Sequence, residues 1–413
     1  FRVAPGATAT VAEVVVVNPG KSREAWVRER VELEPGDPWT RPAQRRAFTR
    51  LWSTGVFDGV TVELGPPAGE DPTLRPLEVT LSEFPSREFF VEPGYGSYEE
   101  WRVLAGFRER NLFGTGRGLR LEGLLSTKSR EALLGLTDRA LLDSGVLADL
   151  TFKALEREEP SFTREEYTAA LALSWAIRER VEGLVRYQYT DSQAKDVQIT
   201  DPAAAAAEND LDISSIAFAP RYDSRDNVLM PASGLLAELA LEWGGGWIGS
   251  ELDFVRPSVN LTAYLPLAEE RDAALAVTLR SGVIVPTGDI DPIPLQERYF
   301  NGGSNTVRAF EQDELGPVDA DGNPLGGETF GLLSVELRRR IAGGLHGAAF
   351  VDAGNVLPDA ADYFSLEDVR WGPGLGVRWL TPVGPLRFDV AWNPDPKPSE
   401  SDVVLHFALG VSF

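Results

Sequence analysis

The sequence predicts a membrane-spanning all-β protein, an antiparallel barrel of about 16 strands, preceded by a small α+β domain of order β-α-α-β-β. Three observations predict it. From Arg87 onward the hydrophobic pattern has period 2 and repeats many times. The chain ends on an apolar-alternating strand whose last residue is Phe413. The first 85 or so residues instead show helical periods flanked by short strands.

Composition sets the bounds. The 413 residues suffice for two or more domains. No apolar run approaches the roughly 18 residues of a transmembrane helix. Barrel strands escape such a scan because lipid-facing and lumen-facing residues alternate. A net charge of -23 argues against nucleic acid as a partner. The absence of cysteine rules out disulfides, thiolate metal sites and a Cys nucleophile. Two histidines, His346 and His406, leave little for zinc or His-based catalysis. No Ser-His-Asp set, P-loop or paired-carboxylate motif stands out, so neither enzyme activity nor a cofactor or metal is expected.

In the N-terminal segment, Val11 to Val17 is a β-branched run ended by Asn18-Pro19-Gly20. Ser22 is placed to cap a helix running to about Val31. Thr40 precedes a second helix with Pro42 in its first turn and Gly55 just past its end. Ala43, Ala47, Phe48, Leu51 and Trp52 fall on one face of it. Val60, Val62 and Leu64, then Leu77, Val79 and Leu81, alternate with polar residues in two closing strands.

The barrel segment follows. Tyr167, Ala169, Leu171, Leu173, Trp175 and Ile177 point one way, and Thr168, Ala170, Ala172, Ser174 and Ala176 the other. Val255 to Leu265, Leu235 to Trp243, Ala273 to Leu279 and Leu386 to Trp392 repeat the pattern. Such segments lie near the ~9–11 residues that a tilted strand needs to cross a bilayer. A soluble sandwich also alternates, but rarely with so many long strands carrying charge on one face. In lipid the sheet must close, because an open edge leaves backbone groups unpaired. In the last strand Val403, Leu405, Phe407, Leu409, Val411 and Phe413 share the outward face, and His406 points inward as a polar lumen residue.

Several motifs carry a resemblance. Leu33-Glu-Pro-Gly-Asp-Pro-Trp39 and Leu51-Trp-Ser-Thr-Gly-Val-Phe57-Asp-Gly-Val60, in their β-α-α-β-β frame, resemble a POTRA domain over residues 9–85. Phe1-Arg-Val-Ala-Pro-Gly6 resembles the end of a preceding domain of that kind (1–8), which implies a longer parent protein. Within 86–413 come Asn111-Leu-Phe-Gly-Thr-Gly116 and Tyr222-Asp-Ser-Arg-Asp-Asn227 with Pro231 and Gly234. Arg298-Tyr-Phe-Asn-Gly-Gly303, Val307-Arg308-Ala309-Phe310 and Phe350-Val-Asp352-Ala-Gly354 follow. Last are Gly374-Leu-Gly-Val-Arg378-Trp379 and Gly384-Pro-Leu-Arg-Phe-Asp389. This ordered set resembles the BamA/TamA superfamily of outer-membrane assembly barrels, and a terminal aromatic resembles the sorting signal of such barrels.

The resemblance implies that the long loop 284–328 folds back into the barrel, with Val307, Arg308, Ala309 and Phe310 against the inner wall. A guanidinium in a confined lumen needs acidic partners. By alternation Glu336 and Asp352 face inward, so Arg308 is expected to pair with one or both. Ala309 stands where the family usually has Gly, which carries a steric cost if φ is positive there. The first barrel strand contains Phe89, Phe90, Val91, Pro93, Gly94 and Gly96. Pro and Gly weaken a strand, so its seam with the last strand is expected to be thin and to open sideways as a template for new strands.

The implied function is an outer-membrane protein assembly and insertion factor. Its partners would be unfolded client barrels or autotransporters and the lipid bilayer, with periplasmic or inner-membrane accessory proteins as further candidates. The implied location is the bacterial outer membrane, with the POTRA-like domain in the periplasm. A polypeptide-secretion translocator and a passive pore remain alternatives. Asp319-Ala-Asp321-Gly-Asn323 resembles the start of a calcium loop but lacks the closing Glu, which reads as an acidic turn. Asp201 to Glu208 reads as an exposed loop.

Overall fold

The computed structural model describes residues 9–410 apart from 19, 68, 142–143, 201–209, 268–271, 367 and 382–383. The expectations on 1–8 and on the loop from Asp201 to Glu208 lie outside these.

The N-terminal domain runs β1 (Thr10–Val17), α1 (Glu24–Val31), α2 (Arg41–Ser53), β2 (Phe57–Leu64) and β3 (Leu74–Glu83). The sheet order is β1-β3-β2, with β1 parallel and β2 antiparallel to the central strand. Alternation on β3 buries Leu77, Val79 and Leu81 against Val27, Val31, Ala47 and Leu51 of the helices.

Two local expectations need correction. Ser22 does not cap α1. Arg23 occupies that position without a side-chain cap bond, while Ser22 uses its amide to bond Glu83 and its hydroxyl to accept from Asn111 Nδ2 at 2.9 Å. The apolar stripe of α2 also divides. Ala43, Ala47 and Leu51 are buried, but Phe48 and Trp52 are exposed and stack on each other at 5.8 Å. Thr40 does cap α2, its Oγ1 accepting from the Ala43 amide.

The barrel strands are β4 (Arg87–Gly96), β5 (Glu100–Leu112), β6 (Arg117–Ser126), β7 (Ser129–Leu141), β8 (Val146–Glu158), β9 (Thr163–Arg178), β10 (Val181–Lys195), β11 (Leu211–Phe218), β12 (Arg221–Asp223), β13 (Gly234–Gly244), β14 (Phe254–Pro266), β15 (Ala273–Val283), β16 (Val285–Pro286), β17 (Thr329–Ala342), β18 (Leu345–Leu357), β19 (Arg370–Thr381), β20 (Gly384–Trp392) and β21 (Val403–Leu409). β11 and β12 are one stave broken at Ala219-Pro220, since both pair with β10 and β13. β16 likewise prolongs the β15 stave along β14. The result is a closed antiparallel barrel of 16 staves.

Its outer face is apolar. Leu239, Leu241 and Trp243 on β13, Leu333, Val335 and Leu337 on β17, and Leu375, Val377 and Trp379 on β19 are all exposed. Water would not tolerate so continuous an apolar belt, whereas lipid requires it. Polar partners of the same strands, such as Glu238, Glu336 and Arg378, face the lumen and bond one another or their neighbours.

Candidate functional site

Two features of the barrel combine into the candidate site: the seam where the sheet closes, and the loop 284–328 that enters the lumen.

At the seam β21 meets β4 through only two register pairs among the described residues, Ala408↔Gly96 and Leu409↔Tyr95. One further backbone bond runs from Ser97 N to Phe407 O at 2.9 Å. The other edge of β21 makes seven register pairs with β20, from Leu386↔Leu409 to Trp392↔Val403. Phe89 and Val91 stand exposed on the outer face. Phe90 turns the other way, with the Arg108 guanidinium 4.2 Å above its ring and its ring filling the space a Cβ on Gly106 would take. Pro93 has no amide hydrogen to give the ladder. Gly94 comes close to Leu409 O, where a Cβ would sit at 3.0 Å. Val403 and Leu405 are exposed outward, and Phe407 packs its ring against Tyr95 at 5.8 Å. Val411 and Phe413 lie outside the described residues.

The loop is anchored by Arg308, which is buried. Its Nε donates to Asp352 Oδ2 at 2.6 Å and Nη2 to Asp352 Oδ1 at 2.8 Å, a two-pronged pair. Nη1 donates to Glu336 Oε2 at 2.6 Å. The guanidinium carbon lies 3.3 Å from the Phe350 ring centroid. The backbone joins in: Arg308 N donates to Asp352 Oδ2, and Arg308 O lies 2.8 Å from His406 Nε2. Val307, Ala309 and Phe310 are fully buried and cluster with Leu332, Phe350 and Ala391. Upstream, Gly302 and Gly303 hold φ of +105° and +112°, which only glycine adopts without strain.

Ala309 brings a correction. It is not among the residues with positive φ, so the methyl carries no backbone penalty. Its room comes from the facing stave. A Cβ on Gly372 would meet Ala309 Cβ at 2.2 Å. The next inward positions of β19 are also glycines. A Cβ on Gly374 would strike the Phe350 ring at 2.1 Å, and one on Gly376 would strike Asp389 Oδ1 at 1.9 Å. Period-2 glycine thus strips the inner face of β19 so that the loop and its partners come close to the wall.

Several members of the network carried no role in the sequence reading. Asp389 is fully buried and bonded by Arg378 and Arg387. Arg378 also reaches Glu336 at 3.0 Å, and Ser334 Oγ donates to Asp352 Oδ1 at 2.6 Å. Inward alternation was the available signal for all four. His406 is a backbone-anchoring group, with no metal-type cluster around it among the described residues. The Asp319 turn is likewise occupied by protein donors: Thr200 N, Asp321 N and Asn323 N all bond its carboxylate.

Fold and site together define a class: outer-membrane-type barrels whose lumen is entered by an arginine-anchored loop. Residues 111–413 match the Omp85 superfamily domain, and the chain belongs to that superfamily. It is 26% identical over 92% of its length to outer membrane protein assembly factor BamA of Nitratidesulfovibrio vulgaris, of which it covers 48%. It is 25% identical to BamA of Neisseria meningitidis serogroup B, over all of this chain and 58% of that protein. The chain thus spans about half the length of the curated relatives it matches. Among solved structures, a BamA from Haemophilus ducreyi lacking POTRA domains 1-3 superposes with TM-score 0.84 at 20% identity, covering 99% of this chain and 85% of that one. CdiB from Acinetobacter baumannii shares the fold at TM-score 0.61 and 13% identity, over 98% and 74% of the two chains.

Proposed function

We propose that the chain is the barrel end of an outer-membrane protein assembly factor, which receives unfolded client barrels and inserts them through the seam between β4 and β21. The observation that carries this reading is the seam itself: among the described residues, two register pairs, against seven on the other edge of the same strand. A short ladder is a small barrier to lateral opening, and an opened edge is a template for strand addition. Energy would come from the client's own burial of apolar surface and pairing of its backbone. The names of the BamA relatives support the same reading.

We read residues 9–85 as a POTRA-like domain on the periplasmic side of the outer membrane and 86–413 as the barrel. The β-α-α-β-β order and mixed sheet support this. The loop clamp of Val307, Arg308, Ala309, Phe310, Glu336 and Asp352 would hold the barrel in shape while the seam opens. A lumen filled by that loop disfavours a passive pore.

The cysteine-free chain makes the test clean. Tyr95 and Leu409 are register partners, and antiparallel partners sit about 4.5–5.5 Å apart at Cα, within disulfide range. The variant Tyr95→Cys/Leu409→Cys is oxidised, and folding of a client barrel into liposomes is followed before and after reduction. Loss of acceleration when locked, restored on reduction, is expected. Equal acceleration in the locked state sinks the lateral mechanism and turns attention to passage of polypeptide through the lumen.

A further inference from the structure

We propose that the lumen holds an oxyanion-binding site, for a phosphate or carboxylate group, between the loop tip and staves β15, β17, β19 and β20. This does not rest on the assembly reading. A cavity of about 200 Å³ lies there, and its wall presents the guanidiniums of Arg280, Arg308, Arg338, Arg378 and Arg387 with one carboxylate, Glu336. Asp352 and Asp389 balance part of this charge from behind, both fully buried. Five cations face three anions, which leaves an excess of two positive charges. In a chain of net charge -23 that local excess is not a by-product of composition.

The unbalanced pair can be named. Asp352 is taken by Arg308, and Asp389 by Arg378 and Arg387, with Glu336 shared among Arg308, Arg378 and, at the longer distance of 3.6 Å, Arg338. Arg280 donates to Asn305 O at 3.2 Å and Arg338 to Pro231 O at 3.1 Å, both neutral carbonyls. Among the described residues the Nε groups of Arg280 and Arg338 are buried without a hydrogen-bond partner, and Arg338 Nε stays 3.6 Å from Glu336 Oε1. Glu238, on β13 two staves from β15, is already held by Asn260 at 2.8 Å and by Arg221. A buried donor left unpaired is costly, more so when charged. An anion with several acceptor oxygens satisfies both the charge and the donors, and guanidinium forks match oxyanions in geometry. One water needs only about 10–15 Å³ of such cavity space, so the cavity admits a tetrahedral oxyanion with bridging waters. Thr278, Ser304 and Thr306 supply neutral donors on its wall.

The test uses the full chain in detergent micelles with labelled inorganic phosphate in equilibrium dialysis. One saturable site per chain is expected. Arg280→Gln and Arg338→Gln should each weaken it by about tenfold or more. Should either Gln variant fail to give a folded barrel, Arg280→Lys and Arg338→Lys carry the test. They keep the charge but lose the planar fork, and should weaken binding measurably. A peptide with a free C-terminal carboxylate and its amidated twin then compete against phosphate. Displacement by the acid form alone assigns the site to polypeptide carboxylates. Displacement by neither assigns it to free phosphate. No saturable binding at about 1 mM phosphate, or binding unchanged by all the substitutions, overturns the proposal.

Discussion

Replacing Arg308 with alanine removes the cation that Asp352 faces at full burial. Asp352 then keeps only the Arg308 backbone amide at 3.2 Å and the Ser334 hydroxyl at 2.6 Å. Glu336 keeps Arg378. Breaking a buried pair by removing one partner costs about 3–5 kcal/mol, because the other charge is left uncompensated. Asp352→Ala should cost less, because Arg308 keeps Glu336 at 2.6 Å and lies 3.7 Å from Asp389. The double variant loses both charges together, so the two losses should fall short of additive by about 2–3 kcal/mol, the upper part of the usual coupling range. Urea midpoints of the reconstituted barrel, read by its shift in gel mobility on unfolding, measure all four corners of the cycle. Additive effects, or single losses below about 1 kcal/mol, would mean a solvated loop tip and refute the clamp. The swap Arg308→Glu/Asp352→Arg should recover part of what Arg308→Glu alone loses.

Three further perturbations follow from the same structure. Burial, then the charge of Glu159, pushes the Asp313 carboxyl from 3.8 up to about 7. A raised acid favours the fold fully below its ordinary value and loses that advantage as pH rises towards about 7. Asp313→Asn should therefore flatten loop stability across that window and raise it at neutral pH, checked by protease resistance of 284–328 against pH. Burial raises Glu83, but hydrogen bonds from Ser22, Asn18 and Lys21 outweigh it and hold its carboxyl below the usual range. Stability from Glu83 is present above the ordinary glutamate value and lost as pH falls through the lowered one, so Glu83→Gln should speed hydrogen exchange at the Lys21 and Ser22 amides at neutral pH and matter little in acid. Gly372→Ala drives a methyl to 2.2 Å from Ala309 Cβ and 2.4 Å from Trp392 O, and should destabilise the barrel by about 1–3 kcal/mol; Ala309→Gly in that background should recover only part, since the Trp392 carbonyl stays.

The strands and their inward faces were legible because period 2 is strict wherever one face meets lipid. That is enough to set Arg308, Glu336 and Asp352 towards a common lumen. It does not fix which inward groups meet, since this depends on register between staves distant in sequence. Asp389 and Arg378 are neighbours across β19 and β20, yet their reach to Glu336 follows from tilt and closure. The glycines at 372, 374 and 376 fall on one face of β19 by alternation. Their use as clearance for Ala309, Phe350 and Asp389 needed the loop in place. Phe48 and Trp52 fit a helical stripe, but that stripe is wider than the sheet beneath can cover, so both emerge on the surface. Ser22 looked like a cap because its type favours one; the helix begins after Arg23 and the Ser22 hydroxyl is taken by Asn111.

The clamp and the seam are not independent, and their link decides which side of the seam moves. Arg308 holds β17 through Glu336 and β18 through Asp352, and its carbonyl meets His406 on β21. Its Nη1 also lies 3.7 Å from Asp389 on β20. With β19 between β18 and β20, these staves run in unbroken order up to the seam. β21 is therefore fixed twice, by seven register pairs to β20 and by His406 to the loop. β4 has two pairs on that edge among the described residues, and Pro93 and Gly94 weaken it further. Opening should carry β4 away while β21 stays on the clamp. Hydrogen exchange in the reconstituted barrel tests this: the β4 amides aimed at the seam should exchange much faster than those of Val404 to Phe407. His406→Ala should narrow that difference by loosening β21 without touching β4. If β21 exchanges as fast as β4 in the unmodified chain, the clamp does not hold the seam and the two features act separately.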